Sequence, residues 1–458
     1  MGRTFLIITL FSIALFAVNP VFGAPDNSGM DVTAEETDSN VVANQSGLSL
    51  DKCIEVALEN NPKIAQKKWD VETSLADKDI AEGLLWPSIS AEAGYTHHLD
   101  NQRLVPARSP GELATFTDDI FSGDIVLRMP LYTSGRLESQ VRASEYLTES
   151  AKQQFIRSSR ELIFNVSNVF YSILGQKEVV GSLVFSQKAL EEQRKRVQEL
   201  LDSQKAARVD LLRTEVRLAD IDQKILREGN VLVIQKSILA NLMGVENLKG
   251  PVKLQGELKP KDFTADLNHS FAVALGQRSD YQAAKARVEA QNENLDAAKA
   301  GRGPVVSLEA AYGNRWSAGS TVGGSNMAED VGRIGVVAAI PLFEGGRIRA
   351  RIRRERSSLF AQKEALRELQ LQVQLEVETA VSNIESTKAR VESIEKAVEQ
   401  GKESLRIERE KYDLGKGTIV DVLDAQAALL EAQTSFYRAM ADYNVAVAQW
   451  RLAVGEKI

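Results

Sequence analysis

The sequence predicts a mainly α-helical fold with a small transmembrane β part, built from a unit that occurs twice. The first observation is gap-free self-similarity: residues 56–95 align on residues 273–312, and residues 130–244 align on residues 341–455. The second is that each copy reads as helix, strand, strand, long helix and return helix. The third is that each copy contains two short segments in which apolar and polar residues alternate. Repetition over this length indicates a duplicated structural unit.

The composition favours long exposed helices over a compact globular core. Charged residues make up 26% of the 458 residues and aromatic residues only 6%. The net charge of −7 is mild, and no basic stripe of the kind that binds nucleic acid is present. With three histidines, and without a nucleophile motif, a phosphate-binding glycine loop or a metal-ligand cluster, we expect no enzyme activity, no cofactor, no metal site and no nucleic-acid partner.

The N-terminus is predicted to direct export. Arg3 precedes the apolar run Phe5–Val18, and small residues follow, so residues 1–24 are interpreted as a cleaved signal peptide. The alternative is an uncleaved membrane anchor, for which the apolar run is short. Residues 25–47 are acidic and polar and are predicted to be a flexible lead-in. The single cysteine, Cys53, excludes an internal disulfide and is expected to be buried in the first helix.

The four alternating segments have the pattern of transmembrane β-strands. They lie at about 87–98, 121–129, 304–316 and 331–340. Each has about the ten residues that a tilted strand needs to cross a bilayer. Alternation of outward apolar and inward polar residues is typical of transmembrane barrels. A half-buried sheet of a soluble protein is the alternative, and the export signal and the repeat favour the membrane.

The segments that connect the strands of each pair are predicted to be polar loops. These are Thr96–Ile120 and the Gly- and Ser-rich Asn314–Asp330. His97 and His98 begin the first loop and raise the possibility of a metal site. Adjacent residues of a strand point to opposite faces, so this pair is not expected to chelate a metal.

Four strands are too few to close a barrel, because the smallest known barrels have about eight. An open sheet edge in lipid would leave backbone groups without hydrogen bonds. If the strands span a membrane, several chains must therefore share one barrel. Three chains would supply twelve strands, and the two similar halves of each chain would give the ring a sixfold quasi-symmetry.

Long helices follow each strand pair. We predict long helices at about 135–201 and 346–413, and return helices at about 210–243 and 421–454. The second return helix has large residues seven apart at Val422, Leu429, Phe436, Tyr443 and Trp450, a spacing typical of left-handed coiled coils. A coiled coil with only a structural role is the alternative. The repeats are thus placed at 48–250 and 267–458, with a linker at 251–266.

The turn between the last two helices carries the candidate functional residues. Gly415 and Gly417 supply a helix stop and turn freedom. Asp421 lies where a carboxylate caps a helix start, as does Asp210 in the first copy. Asp424 is three residues further on the same helix face as Asp421. If three chains converged there, the two carboxylates would form stacked acidic rings, which favour cations.

Three motifs resemble those of the TolC family of outer-membrane efflux and secretion channels. They are the opening Leu48–Pro62, the strand-to-helix junction Pro341–Gly346 and the tip Tyr412–Asp424. This resemblance implies a homotrimer with a 12-stranded β-barrel in the outer membrane, continuous with a 12-helix coiled-coil tunnel in the periplasm. It also implies two partners, a periplasmic adaptor (membrane fusion) protein and a proton-driven or ABC inner-membrane pump.

The resemblance also assigns roles to the tip residues. Asp421 and Asp424 match aspartates that constrict the channel entrance, and Tyr412 with Asp210 matches a contact that holds the entrance closed. The family prototype has a latch arginine where this chain has Gly417, with Lys416 beside it. The adaptor is expected to dock at the turns Ala206–Val209 and Gly415–Val420. Within these turns, the residues expected to contact the adaptor are Val209, Gly415, Gly417 and Thr418.

The expected function is therefore passive conduction of small molecules or ions as the outer-membrane exit duct of a tripartite efflux system. Two alternatives stay open from the sequence. One is the outer-membrane channel of a type I protein secretion system, and the other is a structural or adhesive coiled-coil protein of the cell surface.

Overall fold

A computed structural model describes residues 47–245, 254–258, 263, 266–317 and 328–456. The predicted signal peptide, nearly all of the lead-in and most of the linker lie outside these residues. The described helices are α1 (Leu50–Asn60), α2 (Pro62–Gly83), α3 (Arg136–Asp202), α4 (Arg208–Leu242), α5 (Leu267–Gln277), α6 (Ser279–Ala300), α7 (Arg347–Asp413) and α8 (Ile419–Val454). The strands are β1 (Ser88–Arg103), β2 (Phe116–Tyr132), β3 (Val305–Ser317) and β4 (Glu329–Ala339). The chain is thus mainly helical with one small sheet, which confirms the predicted class.

The four longest helices pack side by side in the order α4, α3, α8, α7. α3 and α7 contain 67 residues each, about 100 Å at 1.5 Å per residue. Apolar residues spaced seven apart form the seams. Leu211, Leu218 and Ile225 of α4 pack against buried residues of α3 and α8, and Tyr443 of α8 shares a cluster with Val391 of α7. Within the described part of the chain, none of the helices is both long enough and apolar enough to cross a membrane.

The helix that precedes each strand pair is broken in two. α2 begins at Pro62, a residue that fits the first turn of a helix because it lacks an N–H donor. The side chain of Asn61 caps this start and also donates a hydrogen bond to Leu242 O at 2.8 Å. In the second copy the break falls at Arg278, whose side chain contacts Ala453 O at 3.3 Å. At each break a side chain, Asn61 or Arg278, therefore donates a hydrogen bond to a carbonyl near the C-terminal end of a return helix. Cys53 in α1 is buried, as expected.

The sheet is antiparallel in the order β1-β2-β3-β4 and has two unlike faces. One row of mutually paired residues is Ile89, Leu127, Ala310 and Ile334. The next row is Ser88, Arg128, Glu309 and Gly335. Because neighbouring rows point to opposite sides, one face is apolar and the other polar. Among the described residues, the outer edges of β1 and β4 pair with no other strand.

The first strand pair is longer than the sequence indicated. β1 continues to Arg103 and β2 begins at Phe116, so both ends of the predicted loop Thr96–Ile120 are strand. The extra ladder is held by polar cross-strand contacts such as Tyr95 Oη to Asp119 Oδ1 at 2.7 Å. Because an apolar alternation cannot reveal a ladder made of polar residues, the predicted β1 ends too early and the predicted β2 begins too late. Residues 318–327, within the second predicted loop, lie outside the described residues.

Candidate functional site

The two turns that join the long helices to the return helices lie together. One turn follows α3 at residues 203–207 and the other follows α7 at residues 414–418. Tyr412 and Ile419, on either side of the second turn, pack in the same apolar cluster as Leu211, which follows the first. An ion pair between Arg196 Nη2 and Asp413 Oδ2, 2.9 Å apart, joins the ends of α3 and α7. The predicted tip residues therefore share one surface.

Both turns use the same backbone geometry. Gly415 adopts φ 72°, and Lys416 N donates to Lys411 O at 2.8 Å. At the equivalent position of the first turn Gln204 adopts φ 57°, and Lys205 N donates to the equivalent carbonyl at 2.7 Å. The left-handed conformation suits glycine and strains a residue with a Cβ. The duplication thus extends to the turn conformation, although only the second copy has glycine at this position.

Asp421 caps the start of α8. Thr418 N and Thr418 Oγ1 both donate to Asp421 Oδ2, at 3.1 and 2.7 Å, and Asp421 N donates to Thr418 Oγ1 at 3.3 Å. These reciprocal bonds form a capping box. The hydrogen bonds from Thr418 hold the pKa of the Asp421 carboxyl below its usual range, and the charge of Lys411 adds to this effect. Asp421 remains exposed, so its charge is available at the surface as well as to the helix.

Asp424, one turn further, is paired across the bundle. Its Oδ1 lies 3.2 Å from Nη2 of Arg217 on α4, and its side chain is 63% exposed. Sequence reasoning placed Asp424 on the same face as Asp421 but missed Arg217. The sequence contains no local signal for this pair, because α4 and α8 are separated by α3.

Tyr412 and Asp210 are close but not directly bonded. Tyr412 is half-buried in the apolar cluster, and its pKa is raised first by burial and then by the nearby Asp210 carboxylate. The Asp210 carboxylate accepts a hydrogen bond from Ala207 N at 3.3 Å and lies 3.9 Å from Arg213 Nη1. Within the described residues, the Tyr412 hydroxyl has no hydrogen-bond partner. Asp210 therefore acts here as the cap of α4.

A side chain at position 417 would crowd the end of α7. A Cβ added to Gly417 would lie 3.0 Å from Lys411 Cβ and 3.3 Å from Tyr412 N. An arginine here would therefore force the end of α7 to move. Lys416 is exposed and forms no ion pair with any described residue, so it does not take over a latch role in a single chain.

The predicted docking turns present a surface of small and apolar residues. Val209 is 49% exposed and Leu414 is 70% exposed. Gly415 and Thr418 are also exposed, and Gly417 is half-buried. The long side chains of Lys205, Arg208 and Lys416 are exposed beside these small and apolar residues, so the surface combines positive charge with places where another helix can approach closely.

Aromatic residues lie at both ends of the sheet. Near the hairpin ends, Tyr95, Phe121 and Trp316 form one row across three strands, with ring centroids 5.0 and 5.9 Å apart. At the helical end, Trp86 and Phe343 are strongly exposed. Exposed aromatic residues at both edges of an apolar band are typical of β-sheets in membranes. Sequence reasoning missed these rows, although the aromatic residues at strand ends carried the signal.

The polar sheet face carries charges in cross-strand pairs. Arg315 makes a bidentate contact with Asp124 at 2.7 and 2.8 Å, and Arg128 Nη1 lies 2.9 Å from Glu92 Oε1. Bidentate pairs of this kind are strong and directional. Such a face can line an aqueous space, while the apolar face is suited to lipid.

A family model described as outer membrane efflux protein matches residues 53–245 and 272–456. These ranges coincide with the two copies of the repeated unit. Outer membrane protein TolC of Vibrio cholerae serotype O1 is 23% identical over 380 residues, which cover 81% of this chain and 83% of TolC. Proteases secretion protein PrtF of Dickeya chrysanthemi is 22% identical over 389 residues, which cover 81% of this chain and 80% of PrtF.

Solved structures show the same fold. The crystal structure of the outer membrane protein VceC from Vibrio cholerae superposes with a TM-score of 0.75 at 18% identity. The superposition covers 89% of this chain and 96% of that chain.

Proposed function

This chain belongs to the outer membrane efflux protein family, and we propose that it forms the exit duct of a tripartite efflux system. It is an outer-membrane protein whose helical part lies in the periplasm. In the proposed function the duct conducts small molecules or ions passively, because it holds no energy source. A periplasmic adaptor and a proton-driven or ABC pump of the inner membrane deliver the cargo and open the tip.

The open four-stranded sheet is the observation that carries the proposal. Aromatic residues lie at both ends of this sheet, and among the described residues the outer edges of β1 and β4 pair with no other strand. In lipid, the backbone groups of such edges must find partners. Pairing β4 of one copy with β1 of the next satisfies them, and three copies close a twelve-stranded barrel. Its polar face, with the Arg315–Asp124 pair, then lines the lumen.

The helices at the two ends of the row support the same assembly. α4 exposes Val209, Val216, Leu226 and Val233, which are 7, 10 and 7 residues apart, a spacing that the two core positions of successive heptads produce. α7, at the other end, exposes Phe360, Leu371 and Leu375. Exposed apolar stripes of this length indicate an interface. A second copy of this chain fits, because its α7 would cover α4 and extend the row into a ring of twelve helices.

The helix turns form the entrance in this proposal. Three copies bring three Asp421 and three Asp424 carboxylates to the narrow end of the tunnel, and rings of carboxylates attract cations. Arg217 offsets part of the Asp424 charge through the 3.2 Å contact. The Asp421 ring therefore carries most of the free negative charge.

The adaptor is proposed to dock at Ala206–Val209 and Gly415–Val420. Small residues at these turns permit close approach of a helical hairpin. A disulfide-trapping screen with single cysteines at these positions and in the adaptor tests the proposal. The expected result is crosslinks at the turns, and crosslinks confined to the middle of α3 and α7 would contradict it.

Conductance in planar bilayers tests the channel function itself. The purified protein should conduct, and block by multivalent cations from the tip side should weaken in the double variant Asp421→Ala with Asp424→Ala. A surface adhesin would show no conductance. If the protein conducts but block is unchanged in the double variant, the acidic-ring proposal is contradicted and the channel proposal is still supported.

Protein secretion is the second candidate function, and the similarity to PrtF favours it. The two candidates differ in the pump that the duct recruits. Capture of a proton-driven pump by the crosslinked duct and adaptor would support small-molecule efflux. Capture of an ABC exporter with a polypeptide cargo would support secretion.

A further inference from the structure

The β1–β2 hairpin brings three potential metal ligands together at its far end. One ligand atom from each of His97, Asp118 and Asp119 lies within 4.8 Å of the others. In the described part of the chain, no other group of three His, Cys, Asp or Glu side chains converges this closely. Neither the channel function nor the tip residues use this cluster.

An irregularity in the strand pairing creates the cluster. His97 pairs with Asp119, but the next pair is Gln102 with Thr117, so four residues of β1 face Asp118 alone. In a regular strand Asp118 and Asp119 would point to opposite faces. Bulges re-aim side chains and are common at the rims of barrels and beside functional sites. Here the bulge turns Asp118 towards the side that Asp119 and His97 share.

The carboxylate of Asp119 is held in place before any ligand binds. The Tyr95 hydroxyl donates to Asp119 Oδ1 at 2.7 Å, and Thr117 Oγ1 bonds to both Asp119 N and Asp119 O. His97 Nδ1 lies 2.7 Å from the same Asp119 oxygen. Outer partners of this kind fix the orientation of metal-ligating carboxylates and raise metal affinity.

We propose that His97, Asp118 and Asp119 bind a divalent transition-metal ion of the Zn²⁺ class. An imidazole nitrogen with two carboxylate oxygens suits Zn²⁺ and similar ions, whereas Mg²⁺ and Ca²⁺ prefer oxygen ligands alone. Binding would displace the proton shared by His97 Nδ1 and Asp119 Oδ1, and these two atoms, now 2.7 Å apart, would separate to about 3.3 Å to hold an ion with bonds of about 2 Å. His97 is 54% exposed, so the ion has an open path from solvent.

The site lies two residue pairs beyond the aromatic row, since Thr96–Ile120 and then His97–Asp119 follow Tyr95–Phe121 in the register. It therefore sits at the outer rim of the sheet, past the apolar band. A bound ion would join β1 to β2 where the pairing is irregular, and so stiffen the end of the hairpin. This inference does not depend on the proposed efflux function.

Isothermal titration calorimetry of the purified full-length protein in detergent with ZnCl₂ tests the site. Saturable binding of one ion per chain is expected, and excess MgCl₂ should not abolish it. His97→Ala should weaken binding at least tenfold. His98→Ala is the matched control, because His98 is the adjacent residue of β1 but is not one of the three side chains that converge; its binding should equal that of the unchanged protein. Tyr95→Phe, which removes only the outer hydrogen bond, should weaken binding about tenfold.

Asp118→Asn is a second test of the same site, which does not depend on correct folding of the His97→Ala variant. It leaves the His97–Asp119 and Tyr95–Asp119 contacts intact but replaces one ligand, so it should also lose affinity at least tenfold. Three results would overturn the site: no saturable binding to the unchanged protein, full binding to both His97→Ala and Asp118→Asn, or equal loss in His98→Ala.

Discussion

Arg217 of α4 contacts Asp424 of α8, with Nη2 and Oδ1 3.2 Å apart. The two return helices both pack on α3 and share few other contacts, so this pair ties their tip ends directly. Arg217 therefore links the tip ends of α4 and α8 and offsets part of the negative charge of the proposed entrance.

Arg217→Ala should release Asp424 and increase the free charge at the entrance. Exposed ion pairs contribute about 0.2–1 kcal/mol, so the affinity of a trivalent blocking cation should rise a few-fold at each site. Single-channel block in planar bilayers measures this. Lys224→Ala is the control, because Lys224 lies two turns away on the same helix and pairs with Asp220 within α4. Stronger block in both variants would assign the effect to overall charge.

Gln204→Gly should stabilise the protein. Gln204 adopts φ 57°, a left-handed conformation that costs a residue with a Cβ about 1 kcal/mol. The reverse change, Gly415→Ala, should destabilise by a similar amount, since Gly415 has φ 72° and no neighbouring atom that a Cβ would meet. Thermal unfolding of the two variants under identical conditions measures both effects. Opposite signs are expected, and equal signs would contradict the turn geometry.

Arg278→Ala should strongly destabilise the second repeat. Arg278 is 1% exposed and binds Asp280 at 2.6 Å and Glu376 at 2.5 Å. Removing it takes the main cation from both carboxylates and leaves only Arg157, 3.7 Å from Asp280, and Gln372, which donates to Glu376; breaking a buried pair in this way costs about 3 kcal/mol. Arg367→Ala is the control, because Arg367 is exposed and lies 3.8 Å from Glu364; it should change stability by less than about 0.5 kcal/mol. Denaturant unfolding compares the two, and similar values would refute the role of Arg278.

Protonation of Asp421 at low pH should destabilise the N-terminal end of α8. Its pKa is held below the ordinary value of 3.8 by hydrogen bonds from Thr418. A lowered pKa in the folded state contributes stability above the ordinary value, and this stability is lost as the pH falls through the lower folded value. Hydrogen-exchange protection of the segment around the turn should therefore fall below about pH 3.8. Asp421→Asn should lack this step, and a step of the same size in the variant would exclude Asp421 as its cause.

The helical part was predictable because its signals are local. A seven-residue spacing and a gap-free repeat locate long helices without knowledge of their partners, and Tyr443 is buried as that pattern requires. The counterpart of Asn61 shows the limit of this reasoning. Alignment places Arg278 there, but it does not reveal that a buried ion cluster replaces a simple amide cap.

The features that sequence reasoning missed depend on contacts between distant segments. Arg217 and Asp424 belong to helices on either side of α3, and His97 meets Asp119 only through the strand register. The bulge that re-aims Asp118 breaks the alternation on which strand prediction relies. The adjacent His97 and His98 suggested a possible metal site in the sequence, but the residue that His97 contacts is Asp119 on the opposite strand.

Burial of the exposed seam of α4 is expected in the assembly. Leu226 is 76% exposed in one chain, and covering it contributes about 1.5–3 kcal/mol. Leu226→Glu should therefore weaken subunit association, while Ala428→Glu, which adds the same charge at an exposed position of α8, should not. Blue-native electrophoresis of both variants measures this, and equal behaviour would place the interface elsewhere.

The mass of the native particle tests most directly whether neighbouring copies complete the open sheet. Native mass spectrometry of the protein extracted from outer membranes in detergent should show three copies of the mature chain and no stable single copy. A folded, monomeric particle that stays in solution without detergent would contradict the account.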